Sequence, residues 1–405
     1  MTSSQPPSYF SAIEMAPRDP ILGLTETFHA DKNPRKVNLG VGVYYDDQGK
    51  VPLLECVRRA EQELVFQAAP RSYLPIDGLA VYDKAVQVLV FGAASAATQS
   101  GRIVTVQTLG GTGGLKVGAD FLRRLLPQSQ VLISDPSWEN HRALFESAGL
   151  VVSSYPYYQA STRGVDFEGM LASFDRASEG SVVLLHVCCH NPTGVDLTSE
   201  QWTQLIATAS KRRLLPFLDL AYQGFGEGLD ADALPVRLFA DSGLSFLVSN
   251  SFSKSFSLYG ERVGALSVVA RDAEEAQRVL SQLKRIVRTN YSNPPTHGGQ
   301  VVAKVLNSAE LRQLWEQELA QMRDRIKAMR NRFVDGLKLR APAANFEFVK
   351  HQRGMFSYSG LNKAQVARLR DEFGIYAVDS GRICVAALNS HNVDYVTTAI
   401  AEVVV

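Results

Sequence analysis

The chain has 405 residues, 45% hydrophobic and 20% charged, an ordinary globular composition with ample material for a core. Forty-two basic residues against forty-one acidic ones leave a formal net charge of +1, so no broad basic field exists to draw nucleic acid or anionic lipid. No apolar run approaches the ~18 residues of a membrane-spanning helix, and a chain of this length is expected to divide into two or three domains.

Taken in order, residues 1–10 are polar with two prolines and lack an apolar signal-peptide core, so no leader is expected. Residues 37–45 read as a strand whose glycines, Gly40 and Gly42, let backbone approach a ligand. Helical patterns at 55–66 and 80–91 flank a loop, Arg71-Ser-Tyr-Leu-Pro-Ile-Asp-Gly78. Short apolar runs then recur at 103–107, 130–134, 182–187, 214–218, 244–248 and 263–269, with helical stretches such as 115–126, 139–148 and 199–212 between them. That alternation predicts an α/β fold with a mostly parallel sheet covered by helices on both faces. A long helix over 309–339 and strands over 345–359 and 382–388 predict a second, smaller unit. Cys56, Cys188, Cys189 and Cys384 fit neither a disulfide framework nor a zinc pattern, so no metal is expected and a reducing cytoplasm is the expected compartment.

The informative feature is the polar or glycine-rich loop at the end of each run. Leu109-Gly-Gly-Thr-Gly-Gly114 opens a helix, and Asp135-Pro-Ser-Trp-Glu-Asn-His141, His190-Asn-Pro-Thr-Gly194 and Asp219-Leu-Ala-Tyr222 come after the next runs. Last comes Ser251-Phe-Ser-Lys-Ser-Phe-Ser-Leu-Tyr-Gly-Glu-Arg262. Ligands of open α/β sheets bind outside the carboxyl ends of strands, so one crevice could collect all five loops.

Each loop has a chemistry to offer. Lys254, at a strand end, suits attack on a carbonyl if desolvation or a nearby cation keeps it partly neutral. Ser251, Ser253 and Arg262 suit a phosphate, as do the free N–H groups at Gly110, Gly111 and Thr112. An aldehyde that also carries a phosphate answers both demands, and pyridoxal phosphate is such a ligand. Trp138 could lie on its ring, Asp219 could pair with a protonated ring nitrogen, and Asn191 and Tyr222 could donate to its ring oxygen. His141 and His186 could stand behind Asp219. Arg382 could clamp an α-carboxylate and Arg288 a distal one. Singly, each residue also fits a plain structural role: an exposed turn, a helix entry, a packed tryptophan, a salt bridge or a surface arginine. Lys116 breaks both G-x-G-x-x-G and the P-loop pattern, which counts against a nicotinamide dehydrogenase.

The set Asn191-Pro-Thr-Gly194, Asp219-Leu-Ala-Tyr222, Ser251-Phe-Ser-Lys254, Arg262 and Arg288-x-Asn-Tyr-Ser-Asn-Pro-Pro295 resembles the class I aspartate and aromatic amino-acid aminotransferases, in their order and spacing. The resemblance runs from about residue 10 to the C-terminus. It implies a fold-type I, pyridoxal-phosphate-dependent homodimer: an N-terminal arm and part of a small domain over 1–48, a large cofactor domain over 49–310, and a long helix with the rest of the small domain over 311–405. It implies a Schiff base on Lys254, with Asp219 at the ring nitrogen, Trp138 stacked on the ring, and Asn191 and Tyr222 at its oxygen. Gly111, Thr112, Ser251, Ser253 and Arg262 would hold the phosphate, with Tyr73 reaching in from the neighbouring subunit. Arg382 would take the α-carboxylate and the neighbour's Arg288 the distal one, with Gly42 and Phe356 lining the mouth.

The implied reaction is ping-pong transfer of an amino group from an amino acid to a 2-oxo acid. Tyr45 and Val51 stand where aspartate-selective relatives place lysine and threonine, which by the resemblance makes the mouth more apolar, and with Leu109-Gly-Gly111 they resemble the aromatic branch. Thr112, Asn293 and Val43 resemble the aspartate branch, and Ser72 neither. The expectation is dual specificity for tyrosine, phenylalanine and aspartate with 2-oxoglutarate as acceptor, strict aspartate selectivity being the alternative.

Overall fold

The computed structural model describes residues 8–17 and 21–404. Parts of the expected arm, and most of the stretch read as leader-free, therefore lie outside the described residues.

The centre is a seven-stranded sheet. In chain order its strands are β1 (Ile103–Leu109), β2 (Gln130–Asp135), β3 (Val151–Pro156), β4 (Val182–His186), β5 (Leu215–Leu220), β6 (Phe246–Ser251) and β7 (Val263–Val269). In space they run β1-β7-β6-β5-β4-β2-β3. The side-chain period of two sends alternate residues into two separate cores. Val131, Val182, Phe217 and Leu247 enter one core, beneath the helices Gly110–Leu125 (α1) and Ala273–Asn290. Leu132, Val183, Leu218 and Val248 enter the other, which continues into Trp315 and Leu319 of the 32-residue helix Ala309–Arg340 (α2). A sheet buried on both faces explains why its strands read as near-continuous apolar runs.

The mostly parallel sheet is as expected, and three details add to or correct the reading. First, β7 is antiparallel to both β1 and β6, although the other neighbours pair in parallel. Second, of residues 37–45 only Val37–Asn38 is strand, pairing with Ile375–Tyr376. Beyond it Gly40 and Gly42 offer no side chain to pack, and a Cβ on Gly42 would stand 2.6 Å from the Phe356 ring. Third, residues 345–359 form a 3₁₀ turn, Glu347–His351, then the short strand Phe356–Tyr358, because Gly354 turns the chain at φ +78°. That strand pairs with Arg382–Cys384, after which residues 385–387 coil into 3₁₀ rather than continuing the strand. The edge strand β3 was not foreseen, since Val151 is exposed and Ser153 and Ser154 interrupt its apolar pattern. Among the described residues no helix is long and apolar enough to cross a membrane.

Candidate active site

The carboxyl ends of β1, β2, β4, β5 and β6 open on one cavity of about 400 Å³. Gly42, Gly111, Thr112, Trp138, Asn191, Asp219, Tyr222, Ser251, Ser253, Lys254, Arg262, Phe356 and Arg382 all line it. Thirteen of the fifteen residues expected at the site thus meet in one place.

Asp219 lies near the end of β5, 6% exposed, where a carboxylate needs partners. His141 Nε2 stands 2.9 Å from its Oδ2, and His141 Nδ1 stands 2.9 Å from the Ser137 hydroxyl. An ionised carboxylate only accepts, so Nε2 carries a proton and donates to it, while Nδ1 shares a hydrogen bond with Ser137. Burial raises the Asp219 carboxyl, but the His141 hydrogen bond and the nearby Lys254 hold it below the usual carboxylate value. His186, 5.0 Å from the His141 ring, is pushed down to about 3 by burial, so it is neutral near pH 7. The cavity therefore has a fixed anion with the His141 imidazole hydrogen-bonded behind it, suited to holding a proton on an aromatic nitrogen.

Lys254 follows β6 with its ammonium 4.8 Å from the Tyr222 ring centre. Desolvation lowers its pKa to about 8; Asp219 opposes the shift and Arg262 adds to it. A sizeable neutral fraction at physiological pH makes the amine a nucleophile and proton carrier.

The end of the cavity beside α1 is lined by glycines and hydroxyls. No side chain caps α1 and no acid sits in its first turn; the Gly110 N–H donates to the Arg262 carbonyl at 2.9 Å, which leaves the N–H groups of Gly111 and Thr112, both at the cavity, to meet an anion. A Cβ on Gly110 would stand 2.6 Å from Arg262 Nη2, and one on Gly111 3.0 Å from Ser251 Cβ, so larger residues would fill the space. Arg262 Nη1 donates to Ser253 Oγ at 3.2 Å, which aims hydroxyl and guanidinium at the same point. These residues fit a phosphate carried by a ring that also meets Asp219 and Lys254.

On the opposite wall Arg382, 1% exposed, donates from Nη1 to Asn191 Oδ1 at 3.0 Å and from Nη2 to the Gly40 carbonyl at 2.5 Å. Its Nε is buried without a hydrogen-bond partner. A buried guanidinium that lines a cavity and keeps an unpartnered N–H calls for an anionic acceptor such as a carboxylate. Because Asn191 Oδ1 is engaged, its amide N–H groups remain to donate into the cavity.

Tyr73 and Arg288, expected from a neighbouring subunit, lie outside this chain's own cavity. Tyr73 is 93% exposed, and Arg288 lies on the surface with its guanidinium on the Ser292 hydroxyl. Tyr45 and Val51, read as mouth residues, do not line the cavity either: Tyr45 faces a second cavity and Val51 is exposed. Sequence reasoning missed Ile21, Leu115, Ala221 and Tyr259, which do line it. Tyr259 was findable, since it sits in the lysine segment, and its hydroxyl accepts the Tyr44 N–H at 2.8 Å.

This sheet, with its lysine, its buried acid and its phosphate cradle, is the fold-type I architecture of the pyridoxal-phosphate-dependent transferases. The chain belongs to the aminotransferase class I and II family, whose family model matches residues 34–400. It is 60% identical to an aspartate aminotransferase of Pseudomonas aeruginosa over 98% of this chain and all of that one. It is 53% identical to the aromatic-amino-acid aminotransferase of Escherichia coli, over 97% of this chain and all of that one. A crystal structure of the aromatic-amino-acid aminotransferase of Burkholderia pseudomallei, covalently bound to pyridoxal phosphate, superposes with a TM-score of 0.96 at 63% identity, covering 98% of this chain and 99% of that one.

Proposed function

We propose that the protein is a pyridoxal-phosphate-dependent aminotransferase of dual specificity, moving amino groups from tyrosine, phenylalanine and aspartate to 2-oxoglutarate. The observation that carries this reading is the unpartnered Nε of buried Arg382 in the same cavity as Lys254 and Asp219. A carboxylate clamp facing an amine and an acid suits an amino acid held by its α-carboxylate. Relatives bearing both aspartate and aromatic names support the dual range.

In this reading the α1 N-terminus, Ser251, Ser253 and Arg262 hold the phosphate and Trp138 covers the ring. Asp219 keeps a proton on the ring nitrogen, and Asn191 and Tyr222 donate to the ring oxygen. Pyridoxal phosphate, when bound, supplies a carbonyl that carries the amino group and a ring that stabilises negative charge at the substrate α-carbon. Arg382 orients the amino acid so that its α-hydrogen faces Lys254. The Lys254 amine takes that proton and returns it on the other side of the exchange, worth about 10²–10⁴-fold. Decarboxylases and lyases of the same architecture share the lysine and acid, so two carboxylate clamps, Arg382 and Arg288, argue for exchange between dicarboxylates. Steady-state kcat/KM for tyrosine, phenylalanine and aspartate tests the range, with all three expected within about two orders of magnitude. A preference for aspartate of about 10³-fold, roughly 4 kcal/mol, would remove the aromatic half.

We also propose a homodimer in which each subunit lends Tyr73 and Arg288 to the other's cavity, and a cytoplasmic location. Both side chains are exposed outside their own cavity, and Phe66 is 92% exposed near Tyr73 in sequence, a costly surface for a lone chain. All four cysteines are free, as a reducing compartment keeps them. Sedimentation equilibrium should give about twice the 44.4 kDa chain mass; a monomer would overturn the shared-site reading. The large domain would span 49–310, with the remainder forming the small one.

A further inference from the structure

α2 carries a buried arginine that none of the chemistry above uses. Arg330 is 3% exposed, and its hydrogen bonds go to neutral groups alone: the Gly354 carbonyl at 2.5 Å, the Ser357 hydroxyl at 3.4 Å and the Phe356 carbonyl at 3.5 Å. Burying a guanidinium without a carboxylate is expensive, and an apolar side chain of similar volume would be cheaper there. What the cation gains is a grip on one short piece of backbone, residues 354–357.

That backbone bears on the substrate end of the cavity. The Phe356 ring lies 4.4 Å from the Arg382 guanidinium carbon, and its tip would meet a Cβ on Gly42 at 2.6 Å. Phe356 also pairs with Cys384, two residues from Arg382, in the short antiparallel ladder. On the other side the Arg353 N–H donates to the Gly194 carbonyl at 2.7 Å, tying the same turn to the loop that bears Asn191. Both partners of a bound α-carboxylate, Arg382 and Asn191, thus lean on a segment that Arg330 clamps. The same helix reaches the lysine. Trp315, roughly 22 Å along the helix from Arg330, donates to the Ser255 carbonyl at 2.7 Å and stacks on Phe256.

We propose that Arg330 is a positioning residue for the substrate carboxylate: by holding the 354–357 backbone it sets Phe356 against Arg382 and so fixes the aim of the Arg382 guanidinium. It touches neither substrate nor cofactor. The inference rests on the aminotransferase reading, and its consequences fall on substrate binding rather than on cofactor retention.

The test uses holoenzyme of the unaltered protein, Arg330→Met and Arg330→Lys. Arg330→Met should raise KM for both amino acid and 2-oxo acid by roughly 10- to 100-fold, the scale of a misplaced binding group. Its kcat should stay within about threefold and its affinity for pyridoxal phosphate should be unchanged. Arg330→Lys keeps a donor and should recover most of the loss. In a Phe356→Ala background, Arg330→Met should add less than about threefold to KM, since the two act in series. Unchanged KM in Arg330→Met, or KM effects that simply multiply in the double variant, would overturn the proposal. So would a loss of cofactor affinity and kcat together with KM, which marks general damage. If Arg330→Met does not fold, Arg330→Gln takes its place: it should raise KM by at least about threefold with kcat and cofactor affinity kept, and an unaltered KM there overturns the proposal. An unaltered protein without amino exchange would instead defeat the functional reading itself.

Discussion

Replacing Lys254 by alanine is expected to lower turnover by about 10⁴-fold, the upper end of what a positioned acid–base group contributes, while leaving a folded protein. The side chain is the amine of the crevice, standing against the Tyr222 ring and coupled to Asp219. The fold should survive because burial works against the charged amine, and alanine removes that cost. The pKa gives the experiment an independent readout in protein freed of cofactor. Desolvation, only partly offset by Asp219, holds Lys254 at about 8 against an ordinary 10.5, with Arg262 adding to the lowering. The folded state therefore binds this proton more weakly than the unfolded chain does. Stability from this group rises with pH between about 8 and 10.5 and is lowest below 8. Urea unfolding across that window should show the rise in the unaltered protein and lose it in Lys254→Ala. An active Lys254→Ala enzyme would end the functional reading.

Replacing Asp219 by alanine should cost roughly 10²–10³-fold in kcat or more, the scale of a lost preorganised charge, yet Lys254 should still capture the cofactor. Borohydride reduction followed by peptide mass measurement distinguishes the two variants: label on the Lys254 peptide is expected in Asp219→Ala and absent in Lys254→Ala. Asp219→Ala also leaves His141 Nε2 without its 2.9 Å acceptor in a fully buried place, so the melting temperature should fall as well. Asp219→Glu serves as the control that keeps a charge. Full activity in Asp219→Ala would contradict the assignment of that carboxylate to the ring nitrogen.

Much of the site was legible because the buried strands end abruptly in polar residues. An apolar run that stops at Asp219 or Ser251 announces both a sheet and the edge of a cavity. The direction of β7 was not legible, since a strand buried on both faces reads the same forwards and backwards, and an eleven-residue excursion hid the reversal. Residues 345–359 misled because the apolar residues Phe346, Phe348, Val349, Met355 and Phe356 mimic strand periodicity, while the 3₁₀ turn and Gly354 that divide them leave a weak mark. Tyr45 and Val51 were placed at the mouth by resemblance, yet position along a chain does not say which side of a wall a residue faces. Tyr45 turned out to face the second cavity. Arg330 was invisible for a different reason: on a long charged helix a buried arginine looks like its solvated neighbours.

The backward course of β7 has a mechanical result. Ser251 pairs with Gly264, and the Phe252 N–H donates to the Val263 carbonyl at 3.0 Å, so the excursion from 252 to 262 hangs from two adjacent feet of one rigid sheet. Lys254 stands near one foot and Arg262 at the other, so amine and guanidinium are held by a single body. Arg382 belongs to a separate two-stranded ladder, so a shift of that ladder against the sheet would alter its distance to the amine without altering the spacing of Lys254 from Arg262.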